Sequence, residues 1–185
     1  MKIGIVGVSG YGGAELLRLC AGHPAFEIAY VGGESTAGQA LAQRFPALAG
    51  HPAGRLVIEP LVPERIAGIE LLFASLPTDK SREPLAKVAK DIRIVDVGGD
   101  HRFVDGWTYG LTELPGQRDK IRGARRLANP GCYPAAALLA LAPLLKEGLV
   151  EPEGIVIDAK SGVTGTGRGG ASDFGYVETN EDLFA

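Results

Sequence analysis

The sequence is short of several things, and each shortage excludes a class of protein. It holds only two cysteines, Cys20 and Cys132, in 185 residues. That is no disulfide framework, and it fits a reducing cytoplasm. The longest apolar run, Ala135 to Leu145, is eleven residues, too short to cross a bilayer, so no membrane partner is expected. The opening MKIGIVGVSG has no apolar segment followed by a small-residue cleavage site, and no leader is expected. A surplus of one charge is lacking too, since 19 basic residues face 22 acidic ones for a net of −3. Without Lys/Arg runs, nucleic acid is not an expected partner. Internal repeats and low-complexity linkers are absent, and no metal site is expected.

What is present is ordinary in all but one respect. Apolar residues make up 45% and charged residues 22%, enough apolar surface to offset the ordering entropy of a folded domain. The length suits one domain, or one domain and part of another. Glycine is the outlier: 27 of 185 residues, about twice the usual share.

The hydrophobic pattern predicts alternating strands and helices. Lys2 to Val6 reads as a short buried strand. Gly13 to Ala21 has helical spacing, with Leu16, Leu17 and Cys20 one turn apart and Gly22 and Pro24 as stops. Phe26 to Val31 reads as a second strand. Strand, glycine turn, helix and strand within about thirty residues form a βαβ unit, whose crossover should be right-handed. Leu71 to Ala74 and Ile92 to Val97 are further strands, with a helix from Glu83 to Lys90 between them. Ala135 to Lys146 is a helix apolar nearly all round, so burial is expected, with Pro143 bending or shortening it. Ile155 to Ala159 reads as another strand. The expected fold is α/β, a Rossmann-like doubly wound, mostly parallel sheet over residues 1–150. Residues 151–185 are expected to begin a truncated α+β catalytic domain, because a strand leads into the glycine-rich stretch from Ser161 without a closing element.

The first glycine cluster lies between the first strand and helix. Gly7, Gly10 and Gly13 permit a tight turn, close approach of a pyrophosphate and close helix–strand packing. The helix N-terminus offers unpaired N–H groups to phosphate. Gly7, Ser9, Gly10, Tyr11, Gly12 and Gly13 are the cofactor candidates in this loop. After the second strand, Glu34 would suit the ribose hydroxyl of NAD, whereas the hydroxyls of Ser35 and Thr36 suit a 2′-phosphate. The residues alone leave that choice open.

The second chemical motif is Asn129-Pro130-Gly131-Cys132-Tyr133-Pro134, immediately before the apolar helix. A thiol at a helix N-terminus is favoured as thiolate. Gly131 lets another group approach the sulfur, and Pro134 fits the first turn. A nucleotide fold with an activated thiol points to aldehyde or acyl-phosphate redox chemistry through a thioester. Cys20, on the apolar face of the first helix, reads as a packing residue.

These residues resemble a family. Gly7-x-Ser9-Gly10-Tyr11-x-Gly13-x-Glu15-Leu16-Leu17-Arg18 is similar to the opening of N-acetyl-γ-glutamyl-phosphate reductases of arginine biosynthesis. Tyr109-Gly110-Leu111, Glu113-Leu114, the cysteine motif, and Asp158-Ala159-Lys160-Ser161-Gly162-Val163-x-Gly165-x-Gly167-Arg168 match further along. The resemblance implies that Cys132 is the nucleophile, that the cofactor is NADPH (NADP), and that Ser161 and Gly162 lie beside the nicotinamide. It makes Arg102 and Asn129 the substrate-binding candidates, an acyl phosphate the substrate, and the full-length form a homo-oligomer in the cytoplasm.

The chain departs from the family at several points. Thr78-Asp79 replaces the usual His-Gly, His101 replaces an aromatic, Thr112 replaces a proline, and the stretch from Arg102 to Tyr109 is short. The family's acid/base histidine belongs to a His-Arg-His segment that this chain does not contain, so these residues alone are expected to bind nucleotide and turn over little substrate. His23 and His51 read as solvated loop residues, and only His101 lies near the expected chemistry. Two alternatives stay open: a carrier-linked aminoadipyl-phosphate reductase of lysine biosynthesis, and a non-catalytic nucleotide-binding module.

Overall fold

In a computed structural model, residues 1–170 are described. β1 (Lys2–Val6) leads through the glycine loop into α1 (Tyr11–Ala21), and β2 (Glu27–Gly32) follows. The connection from β2 to β3 (Leu71–Ala74) runs through α2 (Leu41–Arg44) and a series of single 3-10 turns. α3 (Arg82–Lys87) and β4 (Arg93–Asp96) complete the next unit. Beyond them come β5 (Thr108–Tyr109), α4 (Gln117–Gly123), β6 (Arg126–Ala128), α5 (Cys132–Lys146) and the single turn α6 (Gly167–Gly170).

The six strands form one sheet in the order β2-β1-β3-β4-β6-β5, and every pairing is parallel. Each face of the sheet carries its own core. One packs Ile3, Ile5 and Ile28 against Leu17 and Cys20 of α1. The other packs Val6, Leu72, Ala74 and Ile94 against Leu85 and Val88 around α3. Helical cover on both faces is why the strands read as near-continuous apolar runs. The doubly wound α/β expectation stands, and β1 and β3 fall where the pattern put them.

Two expectations fail. The apolar helix begins at Cys132 and passes Pro143 to end at Lys146, yet none of its residues is buried. Leu138, Leu139, Leu144 and Leu145 are 37–42% exposed. Apolar composition creates a demand for burial, but a partner surface must meet it, and the described residues supply none. The strand expected at Ile155 to Ala159 is also absent among the described residues, and Val156 is 90% exposed. A strand exists only where a neighbour takes its ladder bonds. The last part of the expected second domain, residues 171–185, lies outside the described residues.

Candidate active site

In the strand order, β2 lies on one side of β1 and β3 on the other, so the chain reverses direction across the sheet between β1 and β3. Crevices at such reversals, beyond the carboxyl ends of the strands, are where open α/β sheets bind ligands. Both strands end there in chemically useful loops. Gly7 sits at φ 83°, and a Cβ on it would strike the Ser75 carbonyl at 2.0 Å. A Cβ on Gly13 would strike the Gly7 carbonyl at 2.1 Å. These two glycines bring the start of α1 down onto the strand ends. Gly10 is different: a Cβ there would meet only the Gly7 carbonyl, at 3.7 Å. The open space beside Gly10, at the N-terminus of an eleven-residue helix, is a cradle that fits the pyrophosphate of a dinucleotide.

The residues after β2 are sorted by their own bonds. The Leu61 N–H donates to Glu34 Oε1 at 2.8 Å, which draws that carboxylate toward the 61 loop. Ser9 Oγ and Thr36 Oγ1 lie 2.8 Å apart, joining the glycine loop to the end of β2. Ser35 is exposed beside them.

On the other side of the site, the cysteine loop is held from two directions. The Asn129 N–H donates to the Asp96 carbonyl at 2.8 Å, continuing the β4–β6 pairing by one residue. Arg102 Nε donates to the Asn129 carbonyl at 3.1 Å. A Cβ on Gly131 would come within 2.8 Å of an Arg102 terminal nitrogen, so the guanidinium lies against the residue preceding the thiol. Cys132 is exposed and opens α5, whose first turn carries no acidic residue. Cys20 is buried, as its apolar spacing indicated, and burial pushes its thiol pKa up.

Asp96, Ser81, Asp100 and His101 form a buried polar cluster beneath this loop. The Asp100 carboxylate accepts from the Asp79 N–H at 2.8 Å, the Ser81 N–H at 2.9 Å and the Ser81 hydroxyl at 2.8 Å. Burial alone would raise its pKa; those bonds and the His101 charge outweigh burial and hold it below the ordinary carboxylate value. His101 Nδ1 lies 2.6 Å from Asp96 Oδ2, and its ring stacks on Trp107 with centroids 3.9 Å apart. His101 borders a cavity of about 450 Å³ with Leu85, Val88 and Trp107, and Cys132 is not among that cavity's lining residues. Neither other histidine approaches the site: His23 Nδ1 accepts from the Ala25 N–H, and half-buried His51 accepts from the Ala53 N–H as a turn cap rather than standing in solvent.

Cys132 itself lines a cleft of about 490 Å³ with Tyr133, Asp158, Lys160, Ser161 and Gly162. The serine–glycine loop is therefore brought to the thiol. Further along the same loop, the Arg168 guanidinium stands 5.1 Å from the centre of the Tyr11 ring at the start of α1. One segment thus borders both the thiol and the glycine loop. The buried cluster around Asp96 was missed in the sequence, where its only signals were the short stretch Asp96 to Arg102 and an isolated Ser81.

A parallel α/β sheet with an anion-ready glycine turn at its reversal point defines a dinucleotide-binding class of protein, and here an exposed thiol opens a later helix. The chain belongs to the semialdehyde dehydrogenase family: residues 2–124 match that family's NAD binding domain and residues 132–185 its dimerisation domain. Among curated proteins it is 56% identical over 183 residues to the N-acetyl-gamma-glutamyl-phosphate reductase of Bradyrhizobium sp. (strain ORS 278), covering 99% of this chain and 56% of that protein. It is 41% identical over 197 residues to the protein of the same name from Salinispora arenicola, covering 99% and 58%. The chain thus spans a little over half the length of these relatives. Among solved structures, aspartate semialdehyde dehydrogenase from Francisella tularensis aligns with a TM-score of 0.68 at 15% identity, over 94% of this chain and 48% of that one. The Candida albicans enzyme, solved with NADP, aligns with a TM-score of 0.61 at 18% identity, over 79% and 47%. At such identities the likeness concerns the fold.

Proposed function

We propose that these residues form the nucleotide-binding and thiol-bearing part of an NADPH-dependent reductase that converts N-acetyl-γ-glutamyl phosphate to its semialdehyde and phosphate. The observation that carries the reading is the surroundings of Cys132: first residue of α5, exposed in a cleft with Ser161 and Gly162, with the Arg102 guanidinium against Gly131. The names of the relatives supply the substrate. In this reading residues 1–150 are the dinucleotide-binding domain with its cysteine loop, and 151–185 open the catalytic and dimerisation domain.

The chemistry follows from the placement. The Cys132 thiolate attacks the acyl carbon, the bond from that carbon to the phosphate oxygen breaks, and inorganic phosphate leaves as a thioester forms. Arg102, together with the Asn129 segment it is bonded to, faces the departing phosphate, where a guanidinium matches the charge and geometry of phosphate oxygens. NADPH, when bound, supplies the hydride for the reduction. Gly7 to Gly13 and the α1 N-terminus hold its pyrophosphate, Ser9, Ser35 and Thr36 take the 2′-phosphate side, and Ser161 and Gly162 border the nicotinamide. Glu34, drawn to Leu61, leaves the hydroxyls to meet a phosphate. Release of the aldehyde breaks the carbon–sulfur bond and needs a proton acceptor. His101 is tied to Asp96 outside the Cys132 cleft and does not fill that role.

The test replaces Cys132 by alanine and by serine in the intact gene product. Loss of acyl-phosphate-dependent NADPH oxidation by roughly 10³-fold or more, with nucleotide binding retained, is the expected result. A Cys132→Ala protein that turns over normally ends this reading, and tighter binding of NADH than NADPH reassigns Glu34 as the ribose ligand.

A further inference from the structure

Resting on the reading that Arg102 meets the substrate phosphate, we propose that the buried Asp96–His101 pair is a positioning device that holds Arg102 against the cysteine loop. Asp96 is fully buried at the end of β4 and works in two directions at once. Its carbonyl accepts the Asn129 N–H at 2.8 Å and so fixes the start of the cysteine loop. Its side chain fixes the opposite segment: Oδ1 accepts the Gly98 N–H at 3.0 Å and Oδ2 lies 2.6 Å from His101 Nδ1. The residue after His101 is Arg102, and Arg102 Nε closes the ring by donating to the Asn129 carbonyl at 3.1 Å. Asp96, His101, Arg102 and Asn129 therefore form a closed circuit of contacts.

Two members of the circuit, His101 and Asp96, are also met from outside it. Trp107 stacks on the His101 ring at 3.9 Å, and the Ser81 hydroxyl, which donates to Asp100, lies 3.2 Å from Asp96 Oδ2. Arg102 itself, among the described residues, has no carboxylate within ion-pair distance. The acid nearest along this circuit, Asp96, is occupied by His101 and Gly98. The guanidinium charge is thereby held in place without being neutralised, which is the state an incoming phosphate needs. His101 acts only through its neighbour, because it borders the cavity beside α3 and not the cleft of Cys132.

The test is a mutant cycle in the intact gene product, with Michaelis constants for N-acetyl-γ-glutamyl phosphate, for NADPH and, in the reverse direction, for inorganic phosphate. Displacing a catalytic group by an ångström costs on the order of 10²-fold, so Asp96→Asn and His101→Leu should each raise both phosphate-side constants by about 10- to 100-fold. The NADPH constant should stay within about twofold, since Asp96 and His101 make no contact with the glycine loop. The double variant should be no worse than the worse single one, and neither change should matter in an Arg102→Ala background. Unchanged phosphate-side constants in both single variants overturn the proposal, as does a parallel rise in the NADPH constant. Asp96→Asn losing its folded circular dichroism leaves His101→Leu to decide; loss of the fold in both variants makes the pair a stability element and equally overturns the proposal. If Arg102→Ala itself leaves the phosphate constants unchanged, the assignment of Arg102 fails instead.

Discussion

Asp100 offers the sharpest test of how the buried polar cluster supports the site. Its carboxylate takes three bonds that fold residues 79–81 back under the sheet end: two backbone N–H groups and the Ser81 hydroxyl. In an Asp100→Ala protein the Ser81 hydroxyl can still turn to Asp96 Oδ2 at 3.2 Å. The Asp79 N–H, on an exposed residue, can find water. The Ser81 N–H, on a residue with no exposed surface, cannot. An orphaned buried donor costs about 1–3 kcal/mol and a lost charge-assisted bond about 1.5–3 kcal/mol, so a destabilisation of about 3 kcal/mol is expected. In a chain of this size that lowers Tm by about 6–12 °C. The pH dependence has a definite sign. A carboxylate whose folded pKa is depressed stabilises the fold above its unfolded value and loses that contribution as pH falls through the folded value. The gap between wild type and Asp100→Ala in urea titrations should be full at neutral pH and shrink below about pH 4. A gap under about 0.5 kcal/mol at neutral pH, or one that persists unchanged in acid, would refute the assignment of these bonds.

Two further outcomes follow from single residues. Alkylation at neutral pH should label exposed Cys132 well before Cys20, which is buried and whose thiol pKa burial raises; preferential labelling of Cys20 in the folded protein contradicts the site. Asp79, at φ 63°, is the one non-glycine residue with positive φ among those described, and Asp79→Gly keeps the backbone N–H to Asp100 while relieving that conformation. A gain of about 0.5–1 kcal/mol in urea unfolding is expected, and a loss would mean that the aspartate side chain itself holds the turn.

The two chemical loops were legible in the sequence because their glycines and their thiol have local reasons to be where they are. Gly7 and Gly13 answer a packing demand between neighbouring elements, and Cys132 opens a helix that its own loop announces. Arg126 to Ala128 could not be read the same way: three residues, the first charged, form a strand only because β4 and β5 flank them. α4 has no buried residue and therefore no apolar period to detect. α5 shows the opposite failure, since its apolar letters stated a need for burial without naming what would meet it. Asp96 and His101 stand close along the chain in an irregular turn that carries no periodic signal, and Ser81, just before α3, reaches them only through the fold.

The polar cluster also bears on how two buried carboxylates can lie close to a loop that, in the proposed function, receives an anion. A bare Asp96 or Asp100 near Arg102 would compete with phosphate for the guanidinium, and at short range in a medium of low dielectric that competition is strong. Neither carboxylate is bare. Asp100 is spent on Asp79 and Ser81, and Asp96 on Gly98 and His101. Hydrogen bonds within the fold thus turn the carboxylate oxygens toward other donors, and among the described residues neither acid is ion-paired with Arg102. What faces the Cys132 loop is the Arg102 guanidinium and the N-terminal end of α5, two positive features that, in the proposed function, favour a phosphate leaving group over a neutral one. In the proposed reading Asp96 fixes where the arginine stands, while its own carboxylate oxygens are engaged by Gly98 and His101.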